Sequence, residues 1–313
     1  MKRVLVVYFS QTGQLASIAR TLSEPLASAA DCEVEYEALT PRKPYPFPWP
    51  VFDFLDAFPE TVALEPPEIE PLRADPDQRY DLIILAYTVW FLSPAPPITA
   101  FLKSGSGRAL LSNTPVVTVV GCRNMWLQAQ EDMKALLAEA GARHVDHVAL
   151  TDRGSSLKTL ITTPRWMLTG RRDPFWGVFP RAGIDAADIR DSARFGNALL
   201  RALRAGTIDS GEPTLRGLGA APVDDRLIDS ERIGKRSFTI WSKLLRRVGP
   251  PGTAARRAVL GIYLVFLVTM IATVVPITMT LRALLRPLRQ RKISAQKAYF
   301  EQPSGSDRSG IHS

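Results

Sequence analysis

Val4–Phe9 is an unbroken run of strand-forming apolar residues that stops abruptly in Ser10-Gln11-Thr12-Gly13-Gln14. From there apolar residues recur at helical spacing, at Leu15, Ile18, Ala19 and Leu22. A buried strand passing through a short turn into a helix is the opening unit of an α/β layer. Backbone N–H groups and the positive end of the helix dipole face such a turn, and hydroxyls add donors, so it suits a phosphate. The turn has no lysine, which excludes a Walker loop, and its spacing is not G-x-G-x-x-G. Taken alone, the pentapeptide reads equally well as an ordinary β-to-α turn capped by Ser10 or Thr12.

The following segments narrow the fold. A helix over 13–29 precedes Cys32–Leu39, whose alternation predicts a second strand near a sheet edge. Residues 40–80 hold ten of the 25 prolines, which forbids a long helix or a central strand there. Within this insertion Val51–Phe58 predicts a short helix. The insertion is either a covering loop or a lid that contributes Tyr45, Phe47, Trp49 and Phe52 to an apolar pocket. Asp81–Tyr87 predicts a third strand leading into Thr88-Val89-Trp90-Phe91, then a helix with Ile98, Phe101 and Leu102. Pro115–Val120 predicts the fourth strand, ending in Gly121-Cys122-Arg123-Asn124-Met125-Trp126. A helix bearing Met133, Leu136, Leu137 and Ala140 follows, and Val145–Leu150 is the fifth strand.

Five strands alternating with helices give a doubly wound parallel sheet of order 2-1-3-4-5, with its switch point between strands one and three. The hydroxyl turn and the aromatic turn then lie side by side. A flat ring against Trp90 or Phe91, with its phosphate in Ser10–Gln14, is the shape of FMN.

A formal charge of +8 is concentrated after residue 165 and around the last apolar segment, which points to an anionic membrane surface and away from nucleic acid. There is no metal-ligand spacing. Cys32 and Cys122 do not suggest a disulfide framework, and the chain enters a strand directly, so a reducing cytoplasm is expected. His144 and His147 flank a strand and read as structural. The extension 163–183, aromatic and basic, suits a headgroup boundary or a cover over the pocket. Ile184–Ala205 predicts an amphipathic helix with Ile189, Phe195, Leu199, Leu200 and Leu203 inward. Residues 206–257 read as a linker with an amphipathic helix at Phe238–Val248.

Ala258–Leu281 has no charge across 24 residues, enough for a transmembrane or membrane-anchoring helix kinked at Pro276. Basic residues lie on both sides: Arg246, Arg247, Arg256 and Arg257 before it, Arg282, Arg286, Arg289, Arg291 and Lys292 after it. A single span exports one basic flank; a re-entrant or interfacial anchor keeps both inside. The C-terminal anchor places the chain on the cytoplasmic face of the membrane. The tail 282–313 is expected to be basic and then disordered.

Over residues 1–150 these features resemble the flavodoxin-like superfamily. Ser10, Thr12 and Gly13 match its phosphate loop, T/S-x-T-G-x-T/S, while Leu15 stands where the last hydroxyl residue would be. Over residues 1–205 the chain is more closely similar to the dialkylresorcinol condensing enzymes, through YFSQTGQL (8–15), FLSPAPPITAFL (91–102), GCRNMWLQAQE (121–131), LTDRG (150–154) and TTPRWMLTG (162–170). The resemblance implies an FMN-dependent aromatase that oxidises a lipophilic cyclohexanedione made by a ketosynthase partner. It implies cofactor binding by Ser10, Gln11, Thr12, Gly13, Gln14 and Leu15, by Thr88, Val89, Trp90 and Phe91, and by Gly121 and Cys122. In this chemistry Arg123 stabilises an enolate and Asn124 orients it. Arg123 reads alternatively as a surface ion-pair partner, and Cys122 as either a reactive thiol or a small loop residue. Tyr8, Tyr87 and Asp152 are positioned as bases. The alternatives are a membrane-tethered electron carrier and a non-catalytic partner of the ketosynthase.

Overall fold

The structure, a computed structural model, describes residues 1–273 and 290–309. Five strands make one parallel sheet: β1 (Lys2–Tyr8), β2 (Cys32–Ala38), β3 (Leu82–Tyr87), β4 (Pro115–Cys122) and β5 (Arg143–Thr151). Their order, β2-β1-β3-β4-β5, is the expected flavodoxin-like one. Val4 pairs with Val34 on one side and Leu82 on the other, which fixes β1 between β2 and β3. All of β3 is buried, as a central strand covered on both faces must be, whereas β2 alternates at the edge. Leu5, Val7 and Phe9 enter one core cluster and Val4, Val6 and Tyr8 the other, following the two-residue period of the strand.

Helices α1 (Gln14–Ala27) and α9 (Ala193–Ala205) cover one face. The expected helix over 184–205 is split: α8 (Ala186–Asp191) ends at Ser192, whose hydroxyl donates to the Ile189 carbonyl at 2.6 Å. Phe195, Leu199 and Leu203 face inward as expected. A Cβ on Gly196 would stand 1.9 Å from the Leu22 carbonyl oxygen, so only glycine allows α9 this close to α1. On the other face lie α4 (Pro96–Lys103), α5 (Gly105–Leu111) and α6 (Leu127–Glu139).

The proline-rich insertion carries two short helices, α2 (Val51–Asp56) and α3 (Phe58–Val62). Their Leu55, Phe58 and Val62 form a third apolar cluster with Leu245, Leu260 and Tyr263. The last three belong to α10 (Ile228–Val248) and α11 (Ala254–Ala272). Residues 206–257 are therefore not a linker. Leu215, Ala220, Ala221 and Val223 are buried, and α10 starts at Ile228, well before the expected Phe238. Its inward seam is Glu231, Lys235, Phe238, Ser242 and Leu245, and the three polar members mask the helix in a hydropathy pattern.

Arg256 joins α11 to the insertion. Its guanidinium is fully buried and donates to the carboxylates of Asp56 (2.6 Å) and Glu60 (2.7 and 2.5 Å) and to the Asp56 carbonyl (2.8 Å).

The tail also departs from expectation. Residues 290–300 are helical, and Phe300 and Ser304 are buried. The Ser304 hydroxyl accepts from the His147 amide and donates to Asp146, both at 2.7 Å, and Ala221 N–H donates to the Gly305 carbonyl. A polar tail orders here because β5 offers buried polar partners. His144 and His147 both bond the Thr118 hydroxyl at 2.9 Å, and burial pushes His144 down to about 4. Both are structural. α11 is long and apolar enough to cross a membrane by length and composition. Pro276, Arg282, Arg286 and Arg289 lie outside the described residues.

Candidate functional site

β1 delivers the first loop to the carboxyl edge of the sheet, where Gly13 (φ +80°) caps α1. The first intrahelical bond is from Ser17 N–H to the Gly13 carbonyl, and Ser10 Oγ accepts from Ala16 N–H at 3.1 Å. The amides of Gln14 and Leu15 are thus left without an acceptor inside the helix. Gln11 donates to the Pro46 carbonyl of the insertion at 2.8 Å, while its Oε1 is buried without a partner. Gln14 is tied at both ends to Ile184, at 3.2 Å each. Leu15 packs in the core, and its Cδ1 lies 2.9 Å from where a Cβ on Gly121 would be. The residue that departs from the hydroxyl pattern therefore seats the third loop against α1.

The second loop is a tight ladder in which Val89 pairs with Pro94 and Trp90 with Ser93. At its tip Phe91 (φ +49°) and Leu92 (φ +58°) are successive left-handed residues, a conformation that costs on the order of 1 kcal/mol or more each. Lys235 of α10 holds this tip by donating to the Leu92 carbonyl (3.1 Å), the Ser93 hydroxyl (2.6 Å) and Asp132 of α6 (2.5 Å). Trp90 is wedged edge-on among Phe9, Tyr45 and Trp49 at centroid distances of 5.0–6.2 Å. Phe91 leans on Phe54, Phe58 and Phe238.

The third loop follows β4. Burial pushes the Cys122 thiol up, and its Sγ donates to the Asn124 carbonyl, so it is an inert loop residue and not a reactive thiolate. Arg123 is half-buried and has no carboxylate ion pair among the described residues. It reaches only the Ser156 carbonyl and the Met125 sulfur, and burial lowers its pKa. The surface ion pair is therefore not formed. Asn124 turns away to the Ser156 hydroxyl (3.2 Å) and leaves its Oδ1 buried and unpartnered. Beneath the loop, the Glu231 carboxylate accepts the Gln128 amide in the first turn of α6 at 3.0 Å, and burial raises its pKa to about 8.

The three loops meet on one cleft of about 180 Å³. Of the residues expected there, Ser10, Gln11, Thr12, Gln14 and Leu15 line it, as do Thr88, Val89, Trp90, Phe91, Gly121, Cys122 and Arg123. Gly13 and Asn124 do not. The insertion contributes Phe54 and none of the four aromatics expected: Tyr45 and Trp49 stand behind Trp90, while Phe47 and Phe52 are exposed.

The extension has two parts. Its first part belongs to α7 (Ser156–Thr169), a helix hidden in the sequence by Pro164, and Thr163, Trp166 and Met167 reach the cleft. Its second part is a turn closed by mutual Phe175–Phe179 amide bonds, with Trp176 83% exposed at the tip. Asp152 lines the cleft, but its carboxylate accepts the Gly154 and Gly183 amides at 2.8 and 2.9 Å. Tyr87 is buried and donates to Gln130, and Tyr8 sits in the core cluster beneath α1, so neither lines the cleft.

No family model matches the chain, and no curated protein matches it. Among solved structures it is similar to a flavoprotein from Lactobacillus acidophilus NCFM in complex with FMN, at 18% identity over 48% of this chain and 93% of that one, with a TM-score of 0.39. A WrbA-like flavodoxin from Agrobacterium tumefaciens is 12% identical over 64% and 99%, at 0.36. Flavodoxin 1 from Bacillus cereus is 14% identical over 64% and 98%, at 0.35.

Proposed function

We propose that the chain is a membrane-associated, FMN-dependent oxidoreductase that aromatises a lipophilic cyclohexanedione to a dialkylresorcinol. The supporting observation is the convergence of the hydroxyl turn, the aromatic turn and the Gly121–Arg123 loop on one cleft at the point where strand order reverses. The donor set fits a phosphate: the free amides of Gln14 and Leu15, the hydroxyls of Ser10 and Thr12, and the α1 dipole. Trp90 and Phe91 give an aromatic wall, and the unpartnered Gln11 Oε1 offers an acceptor.

When bound, FMN supplies a two-electron acceptor for removal of a hydride equivalent. The chain's own residues do the rest. Arg123, unpaired and desolvated, meets the negative charge that develops on the diketone oxygen as the adjacent carbon loses its proton. Asn124 holds the loop through Ser156 and is a positioning residue. Asp152 is the base of choice among the three candidates because it alone lines the cleft. The cleft, at about 180 Å³, is smaller than the ~300 Å³ at which ligand pockets usually begin. That tightness favours, as a second reading, a non-catalytic partner of a ketosynthase.

The test is a visible spectrum of the full chain with and without added FMN, followed by anaerobic addition of a dialkylcyclohexanedione. Flavin absorption that bleaches with the diketone supports the enzyme. Absorption that persists unbleached leaves an electron carrier, and none at excess FMN leaves the partner protein.

A further inference from the structure

The sequence leaves open whether the apolar segment crosses the membrane. α11 does not stand away from the protein. Leu260 and Tyr263 are buried, Tyr263 stacks on Phe58 at 4.8 Å, and Trp241 contacts both Tyr263 and Phe266 at 5.2 Å. From Arg256 to Leu267 the helix is therefore laid along the body on one side. Its start is pinned by the buried Arg256. Its other side is apolar and uncovered: Ile262, Val265 and Val268 are 62, 68 and 56% exposed. On α10, packed beside it, Ile240 and Leu244 are exposed as well. Lys243, Arg247 and Arg257 are exposed around these residues.

The chain beyond the segment returns to the same body. Tyr299 donates to Glu131 of α6 at 2.7 Å, Phe300 is buried, and Ser304 bonds β5.

We propose that this is a monotopic surface: α11 and the outward side of α10 lie in one leaflet of an anionic bilayer, and the chain before α11 and the residues from 290 onward stay on one face. Apolar residues enter the acyl boundary while the basic rim meets anionic headgroups. Both basic flanks then remain on the same side, which a single span does not permit. This deepens the membrane attachment in the proposed function and is independent of the flavin.

Two measurements on the full chain test it. The first is flotation with phosphatidylethanolamine–phosphatidylglycerol vesicles, comparing the wild type with V265D/V268D. Both substituted residues face outward, so folding, followed by circular dichroism, is unchanged while vesicle binding falls at least tenfold. Undiminished flotation of the folded variant overturns the assignment of the face. So does a wild-type dimer that the variant converts to monomer without any lipid binding. The second uses S210C/S309C in a C32S/C122S background, reconstituted in sealed vesicles and treated with an impermeant maleimide. Intact mass then shows molecules with zero or two labels. Molecules carrying exactly one label place the two sites on opposite faces and overturn the topology. Because the diketone and flavin spectra are read separately, a failure here leaves the catalytic reading standing, and the reverse holds.

Discussion

Replacing Arg256 by Met removes the buried cation that fastens α11 to the insertion while keeping much of its volume. The guanidinium is fully buried, whereas the side chains of Asp56 and Glu60 are 14 and 27% exposed. The substitution strands two carboxylates in a site where they have lost a shared cation. Breaking a buried ion pair from one side costs about 3–5 kcal/mol, and the partial exposure of both acids puts this case near the lower figure, about 3 kcal/mol. The loss concerns the insertion, α10 and α11, which share the third apolar cluster, so it should register there and not in the sheet. Hydrogen exchange on the full chain in detergent checks this: amides in 50–63 and 245–267 should exchange on the order of 100-fold faster, with β1, β3 and β4 unchanged. The triple variant D56N/E60Q/R256M, which leaves no unpaired charge, should recover most of the protection. Equal exchange in wild type and R256M would refute the clamp, and failure of the triple variant to recover would refute the electrostatic account of it.

Three further outcomes follow from the geometry. Gly196→Ala puts a methyl against the Leu22 carbonyl and should cost about 1–3 kcal/mol in denaturant unfolding, with no change in any ligand affinity beyond that loss. Glu231 titrates at about 8 in the folded chain against an ordinary value of 4.5, so the folded state keeps its proton longer than the unfolded one. Its contribution is complete below 4.5 and is lost as pH rises through 8. Glu231→Gln should therefore flatten the decline of thermal stability between about pH 4.5 and 8, and an unchanged profile would sink the assignment. Lys235→Met should release the strained Phe91–Leu92 tip, weakening the proposed FMN binding about tenfold or more while the sheet amides stay protected; unaltered binding would show that the tip holds itself.

The sheet was legible because β1, β3 and β4 are apolar on both faces, β2 alternates as an edge strand does, and each strand is followed by a turn or helix signal. The three cleft loops were legible for the same reason: they occupy the carboxyl ends that the strand order brings together. α7 was hidden by Pro164, and α10 by its own chemistry, since Glu231, Lys235 and Ser242 sit on the inward face where a hydropathy pattern expects carbon. The tail misled in the same way, because Ser304 is buried for its hydroxyl. Four aromatics of the insertion were singled out and Phe54, which lines the cleft, was not among them; which one faces the cleft depends on how Trp90 packs among Phe9, Tyr45 and Trp49, and no local spacing encodes that.

The seam of α10 has a consequence for how the chain comes off the ribosome. Residues 1–151 contain all five strands of the parallel sheet, yet the tip of the second loop is held by Lys235 and the third loop is underpinned by Glu231. A nascent chain that has just finished the sheet thus has an unsecured aromatic turn at the cleft. Domains generally fold in order of synthesis. Here the N-terminal cleft waits for residues some 80 positions beyond the last strand of the sheet, and β5 is sealed by Ser304 later still. The cleft loops are in this way secured only after residues well beyond the sheet have been made, and a chain truncated after the sheet would present those loops without holding them.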